Sequence, residues 1–269
     1  MIRQLAASVF ERTEAESRAY QAQHPGLDGK VLLVCITVAF SLTMNYYLGD
    51  AGFMVKSLRT LNLPDLSEAL EAFTFAGPDA RLHRLLYWVC VLTVFYLAVP
   101  IALIKLVFRE PVSAYGLRVG GAFRDYKLYL VMLGLMLPVI LFVSGTESFQ
   151  ERYPFYGVSK GSALYPNFFI WEAFYLLQFF GLEFFFRGFM LHGLKLRFGY
   201  YAVMAMTIPY CMIHFGKPLP ETLAAIAAGL ILGTLSLKSG SIWPGVAIHY
   251  GVAIAMDLSS LWRKGIFGN

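Results

Sequence analysis

The 269 residues are 58% hydrophobic and 14% charged, with a formal net charge of +5 at pH 7. Soluble globular domains carry about 25% charged residues, so this composition excludes an ordinary soluble fold and points to a polytopic membrane protein. The small positive excess is spread among loops without a basic stripe, which excludes nucleic acid as a partner and fits the basic flanks of membrane helices.

Residues 1–28 mix both charge signs and reach the first apolar run without a small-residue cleavage site, so no removable leader is expected and the first span stays. Within this arm Leu5, Val9 and Phe10 recur at helical spacing, the pattern of a helix on a membrane surface or of a solvated one. Apolar runs long enough to be spans lie at 31–48, 85–104, 128–144, 168–194, 200–215, 222–237 and 242–258. The expectation is an all-α transmembrane helix bundle of about seven spans, six to eight. It divides into an N-terminal arm over 1–30, N-terminal transmembrane helices over 31–144 and a second helix bundle over 145–269. After the first span, Pro64 opens a helix with Leu66, Leu70 and Phe73 on one face, either an interfacial helix closing a loop or a lid. Lys and Arg are more numerous on the N-terminal side of alternate spans, which places the N-terminus in the cytoplasm. Cys35, Cys90 and Cys211 each fall inside an apolar run at wide spacing. They support neither a disulfide framework nor a Cys-based metal site and read as small buried hydrophobes.

The chemistry concentrates in the later spans. Glu183 and Arg187 put a carboxylate and a guanidinium one turn apart inside an aromatic run, where each ion costs at least ~2.5–3.5 kcal/mol at membrane depth. The i, i+4 spacing lets them face each other, either as a pair that only survives burial or as a site. His214 and His249 each follow a proline by five residues, Pro209 and Pro244. Pro209 inside a helix frees the carbonyl of Ala205, whereas Pro244 reads as the start of its span. With a hairpin turning near Phe198 and Gly199, Glu183 and His214 each lie about fifteen residues from the turn, roughly 22 Å at ~1.5 Å per residue. His249 lies about ten residues past a second turn near Gly240, roughly 15 Å deep. Gly229 and Gly233, and Ala247, Gly251 and Ala255, form small-residue faces for close helix packing. Glu172, His192, Glu221 and Lys217 read as interfacial charges.

These residues resemble the CPBP family of intramembrane proteases, named for CAAX proteases and bacteriocin processing and also called the Abi group. Its motifs are Glu-Glu-x-x-x-Arg, an aromatic residue four positions before a His, and His-x-x-x-Asn. Glu183 to Arg187, followed by Gly188, is similar to the first, Tyr210 to His214 to the second, and His249 to the start of the third; Tyr115-Gly116-Leu117-Arg118 is a fainter match. The resemblance runs from about Phe168 to Leu258. Two positions depart from it: Leu182 stands where the family has its first Glu, and Ala253 where it has Asn, with Asp257 the nearest polar substitute.

The resemblance implies an integral membrane endopeptidase of a bacterial cytoplasmic membrane, acting on a membrane-associated protein or peptide near its terminus, in contact with membrane lipid. In the mechanistic reading, Glu183 and His214 activate water, His249 stabilises the oxyanion, and Arg187 positions Glu183 or holds a substrate carboxylate. Tyr210 and Asp257 are supporting candidates, Asp257 as an orienter of His249. No cofactor is expected on this reading. Glu183, His214 and His249 also make the ligand set of an open catalytic zinc site, the minority alternative. A different class of function is a catalytically inactive relative that lost the water-activating Glu and acts as a membrane chaperone or partner-binding protein.

Overall fold

The computed structural model describes residues 2–158 and 163–267, with the side chains of residues 2–5 left undescribed. The described chain is all-α. Its helices are α1 (Ile2–Gln23), α2 (Gly29–Leu48), α3 (Ala51–Thr60), α4 (Pro64–Phe75), α5 (Ala80–Phe108), α6 (Tyr126–Val143), α7 (Glu147–Arg152), α8 (Asn167–Phe198), α9 (Tyr201–Met212), α10 (Leu219–Ser239) and α11 (Trp243–Arg263). Five of the seven expected spans, α2, α5, α6, α8 and α10, are long and apolar enough to cross a membrane. The other two are helices as well. α9 has 12 residues, because Gly216 at φ +88° and Pro218 follow soon after it. α11 has 21 residues, but His249, Tyr250, Asp257, Ser259 and Ser260 dilute its apolar character.

The chain forms two compact units, each assembled from three separated stretches. The first comprises Met1–Ala39, Val99–Tyr126 and Leu182–Val246. In it α8 and α9 make the expected hairpin, with Gly199 at φ +57° in the turn. α9 and α10 pack closely because Gly229 faces Thr207 and Gly233 faces Met206 and Val203; a Cβ at either glycine would lie within 3.0 Å of them. The N-terminal arm is more than a surface helix. α1 buries Val9, Thr13 and Ser17 at spacing i, i+4, i+8. Its Arg12 donates to the Leu237 carbonyl at 2.6 Å, Gln21 donates to the Arg197 carbonyl at 2.8 Å, and Glu14 accepts from the Tyr200 N–H at 2.9 Å.

The second unit comprises Phe40–Ala98, Lys127–Gly181 and Ala247–Asn269. An aromatic ladder on α8, Trp171, Tyr175 and Phe179 at i, i+4, i+8, packs with Leu82, Val89 and Ala253. Phe155 stacks on Trp171 and Tyr175 at 5.6 and 5.7 Å between ring centres. α4 forms where Pro64 predicts it. Its packed face, however, is Ser67 and Thr74, with Ser67 donating to the Val55 carbonyl at 3.1 Å. Leu66 and Phe73 are 57% and 46% exposed, so this apolar face lies largely at the surface of the unit, with the Phe73 ring stacked on His83 at 4.3 Å between ring centres. Cys35 and Cys90 are exposed too, correcting their reading as buried hydrophobes. A helix surrounded by lipid is apolar on its outer face as well, so hydropathy does not imply burial in the chain.

Candidate active site

Glu183 closes the regular α-helical part of α8, and the next seven residues, Phe184–Met190, are a π-helical stretch that widens the turn around Arg187. Both side chains are buried, at 0% exposure, as are those of Phe184, Phe185, Phe186 and Phe189 in the same stretch. Arg187 Nη1 lies 3.1 Å from Glu183 Oε1. The other side of the guanidinium rests on Tyr210, 3.8 Å from the ring centre, a cation–π contact in a dry setting. The Tyr210 ring meets the His214 ring edge to face at 4.9 Å. Carboxylate, guanidinium, phenol and imidazole thus follow one another through the first unit.

His214 sits in the turn that closes α9 rather than inside a span, and it is nonetheless buried. Its carbonyl accepts from the Thr222 hydroxyl at 3.0 Å, which ties the turn to α10. Its Nδ1 lies 2.9 Å from the Tyr210 carbonyl. A carbonyl only accepts, so Nδ1 carries the proton and Nε2 is the basic nitrogen of the neutral ring.

Close backbone approach accounts for the glycines here. A Cβ on Gly245, in the first turn of α11, would overlap Glu183 Oε2. A Cβ on Gly188 would lie 2.6 Å from the Tyr115 carbonyl oxygen. The segment Tyr115–Leu117 is a strap across this region. The Gly116 carbonyl accepts from the Ile242 N–H at 2.8 Å, the Leu117 carbonyl accepts from the Trp243 indole at 3.4 Å, and Leu117 makes an isolated antiparallel bridge to Ser241. Gly116 takes φ +84°, and a side chain there would meet Ile242. Below the strap, Glu110 accepts from Lys30 at 2.8 Å on each oxygen and from the Tyr115 hydroxyl at 2.6 Å. Burial works to raise the Glu110 pKa. The hydrogen bonds from Lys30 and Tyr115, with the Lys30 charge, outweigh it and hold the carboxyl below its ordinary 4.5. Burial first, and then Glu110, push the Tyr115 phenol up.

His249 and Asp257 belong to the second unit. His249 is half-buried and stacks on Phe179 at 5.1 Å between ring centres. Asp257 is buried, with Oδ1 accepting from the Phe155 N–H at 3.0 Å. Of the residues read as interfacial charges, Glu172 and His192 are buried within the protein, whereas Lys217 and Glu221 form a partly buried ion pair at 2.5 Å. Among the described residues, no group of three or more His, Cys, Asp or Glu side chains is placed to hold a metal ion.

Residues 165–255 match a family described as Rce1-like, the type II CAAX prenyl endopeptidase Rce1-like family. The resemblance to the CPBP family holds. The matched segment contains the residues similar to all three motifs, the departures at Leu182 and Ala253 included, together with Gly188 and Gly245, and it ends before Asp257. The family supports a membrane protease of the CAAX type in general. Neither a curated protein nor a solved structure matches the chain.

The motif spacing led to Glu183, Arg187, Tyr210 and His214, which the structure brings into one run of contacts. Sequence reasoning missed Gly245 and the part played by Tyr115–Leu117. The signal for the strap was the Tyr-Gly-Leu-Arg match; for Gly245, which follows a proline at a helix start, there was none.

Proposed function

We propose that the protein is an intramembrane endopeptidase that cleaves a membrane-associated protein or peptide near its terminus with a water activated by Glu183 and His214. The observation that carries this reading is the buried run Glu183, Arg187, Tyr210, His214 inside the segment matched by an endopeptidase family. Arg187 offsets the charge of Glu183 and fixes its carboxylate, which takes the place of the family's paired glutamates. The water gives a proton to the Glu183 and His214 pair as its oxygen attacks the scissile carbonyl. The tetrahedral intermediate then collapses, the C–N bond breaks, and the same proton passes to the leaving amine. The assignment of His249 as oxyanion donor rests on the third motif alone. The expected setting is a bacterial cytoplasmic membrane with the N-terminus inside.

The test is cleavage of a membrane-tethered peptide library by purified protein in nanodiscs, comparing the parent with Glu183→Gln and His214→Ala. Both variants are expected to lose cleavage by at least about 100-fold, the usual contribution of a general base. Cleavage that persists in Glu183→Gln removes the assignment; a parent that binds peptides and cleaves none favours the chaperone-like alternative.

A further inference from the structure

His192 has no role in this chemistry, yet it is a buried polar side chain at 5% exposure one turn beyond Arg187. In an α-helix the Leu191 N–H would donate to the Arg187 carbonyl. At the end of the π-helical stretch it donates instead to the carbonyls of Phe186 and Gly188. The Arg187 carbonyl is met from another helix, by the Ser236 hydroxyl of α10 at 3.3 Å. Ser236 Oγ is 3.1 Å from His192 Nε2, and His192 Nδ1 is 3.2 Å from Lys195 Nζ. The two ends fix the direction of the chain, because an ammonium only donates and a carbonyl only accepts. Lys195 therefore donates to His192 Nδ1, His192 Nε2–H donates to Ser236, and the Ser236 hydroxyl donates to the Arg187 carbonyl. Bonds aligned in one sense polarise each other, and their loss leaves the buried His192 and Ser236 side chains unsatisfied.

We propose that Lys195, His192 and Ser236 form a donor chain that holds the π-helical turn at Arg187 and so keeps the Arg187 guanidinium on Glu183 and Tyr210. Ser236 and His192 are then positioning residues. The chain's catalytic importance rests on the reading of Glu183 as the working carboxylate. The mechanical reason is that each residue of an α-helix turns by about 100°. Relaxing the widened turn to α geometry changes the register across it and moves Arg187 relative to Glu183.

Two readouts separate this proposal from the proposed function. In nanodisc-embedded protein labelled with ¹³C-glutamate, the infrared difference between the parent and Glu183→Gln isolates the Glu183 carboxyl band. Ser236→Ala and His192→Phe are expected to shift that band, and Ser236→Thr, which keeps the hydroxyl, to leave it at the parent position. In turnover, Ser236→Ala is expected to lower kcat about tenfold, with KM held within about twofold and Ser236→Thr restoring kcat, the pattern of lost orientation rather than lost binding. A band unmoved by Ser236→Ala overturns the proposal whatever the turnover, and a shifted band with unchanged kcat overturns the positioning role. If His192→Phe does not fold, Ser236→Ala, a smaller change, decides alone. A parent without any cleavage defeats the proposed function, while the band still decides whether the chain holds Arg187.

Discussion

Glu183 and Arg187 have both lost their hydration, so each depends on the other for charge compensation. An amide keeps the shape of a carboxylate, and by shape alone Glu183→Gln should cost little stability. Burial of both ions reverses that expectation. Removing one partner of a buried pair costs about 3–5 kcal/mol, because the remaining charge is stranded. Glu183→Gln is expected to unfold at lower denaturant by that order, and adding Arg187→Met should recover most of the loss without any cleavage. A single variant as stable as the parent would show that the pair adds nothing to stability. The two glycines differ in what a side chain would displace. At Gly245 the obstruction is the end of the Glu183 side chain, which can move only by disturbing its contact with Arg187, so Gly245→Ala should lower kcat by roughly 10- to 100-fold and lower the melting midpoint together with it. At Gly188 it is the Tyr115 backbone carbonyl, which cannot move alone, so Gly188→Ala should destabilise by about 1–3 kcal/mol. Thermal melts and turnover on both variants distinguish the two.

Among elements, the strap matters most. Tyr115–Leu117 touches Gly188 on α8 and the Ser241–Trp243 entry to α11, and through that entry bears on Gly245 beside Glu183. Its lower end is tied by Glu110 to Lys30. The folded pKa of Glu110 lies below the ordinary 4.5, so its contribution to stability is fully present above the unfolded value and is lost as pH falls through the folded one. The thermal midpoint of Glu110→Gln is therefore expected to lie about 2 °C below the parent at neutral pH, a small effect suited to a partly exposed charge. The two midpoints should converge as pH drops below about 4.5. A difference that grows toward acid contradicts the assignment.

Across the whole molecule, apolar character and burial come apart. α6 is as hydrophobic as any soluble core helix, yet only 11% of its most apolar 18-residue window is buried within the chain. Its outer residues, such as Leu135 and Phe142, need lipid rather than protein around them. The choice between carboxylate and metal chemistry is decided by metal content, since a catalytic zinc site takes three protein ligands and one ion per chain. Purified protein is expected to carry less than about one metal ion per several chains, against the one per chain of such a site, and to cleave undiminished in the presence of a membrane-permeant chelator. Stoichiometric zinc lost together with activity in His249→Ala would make His249 a ligand.

The helical bundle, the hairpin turn at Gly199, the stop at Gly240 and the pairing of Glu183 with Arg187 were all legible in the sequence. Each is set by local periodicity, by a glycine at a required dihedral angle or by the i, i+4 geometry of one helix. Other features depended on neighbours distant in the chain. Burial of His192, Glu172 and Asp257, docking of α1 on α10, and the outward apolar face of α4 are decided by which helix lies alongside. In a membrane protein hydropathy is high on packed and lipid-facing sides alike, so it cannot tell them apart. The π-helical turn at Arg187 is the sharpest case. Nothing in Phe-Phe-Phe-Arg-Gly-Phe-Met departs from an α-helical pattern, and its Arg187 carbonyl is met by Ser236, 49 residues along the chain, which only tertiary structure brings within hydrogen-bonding distance.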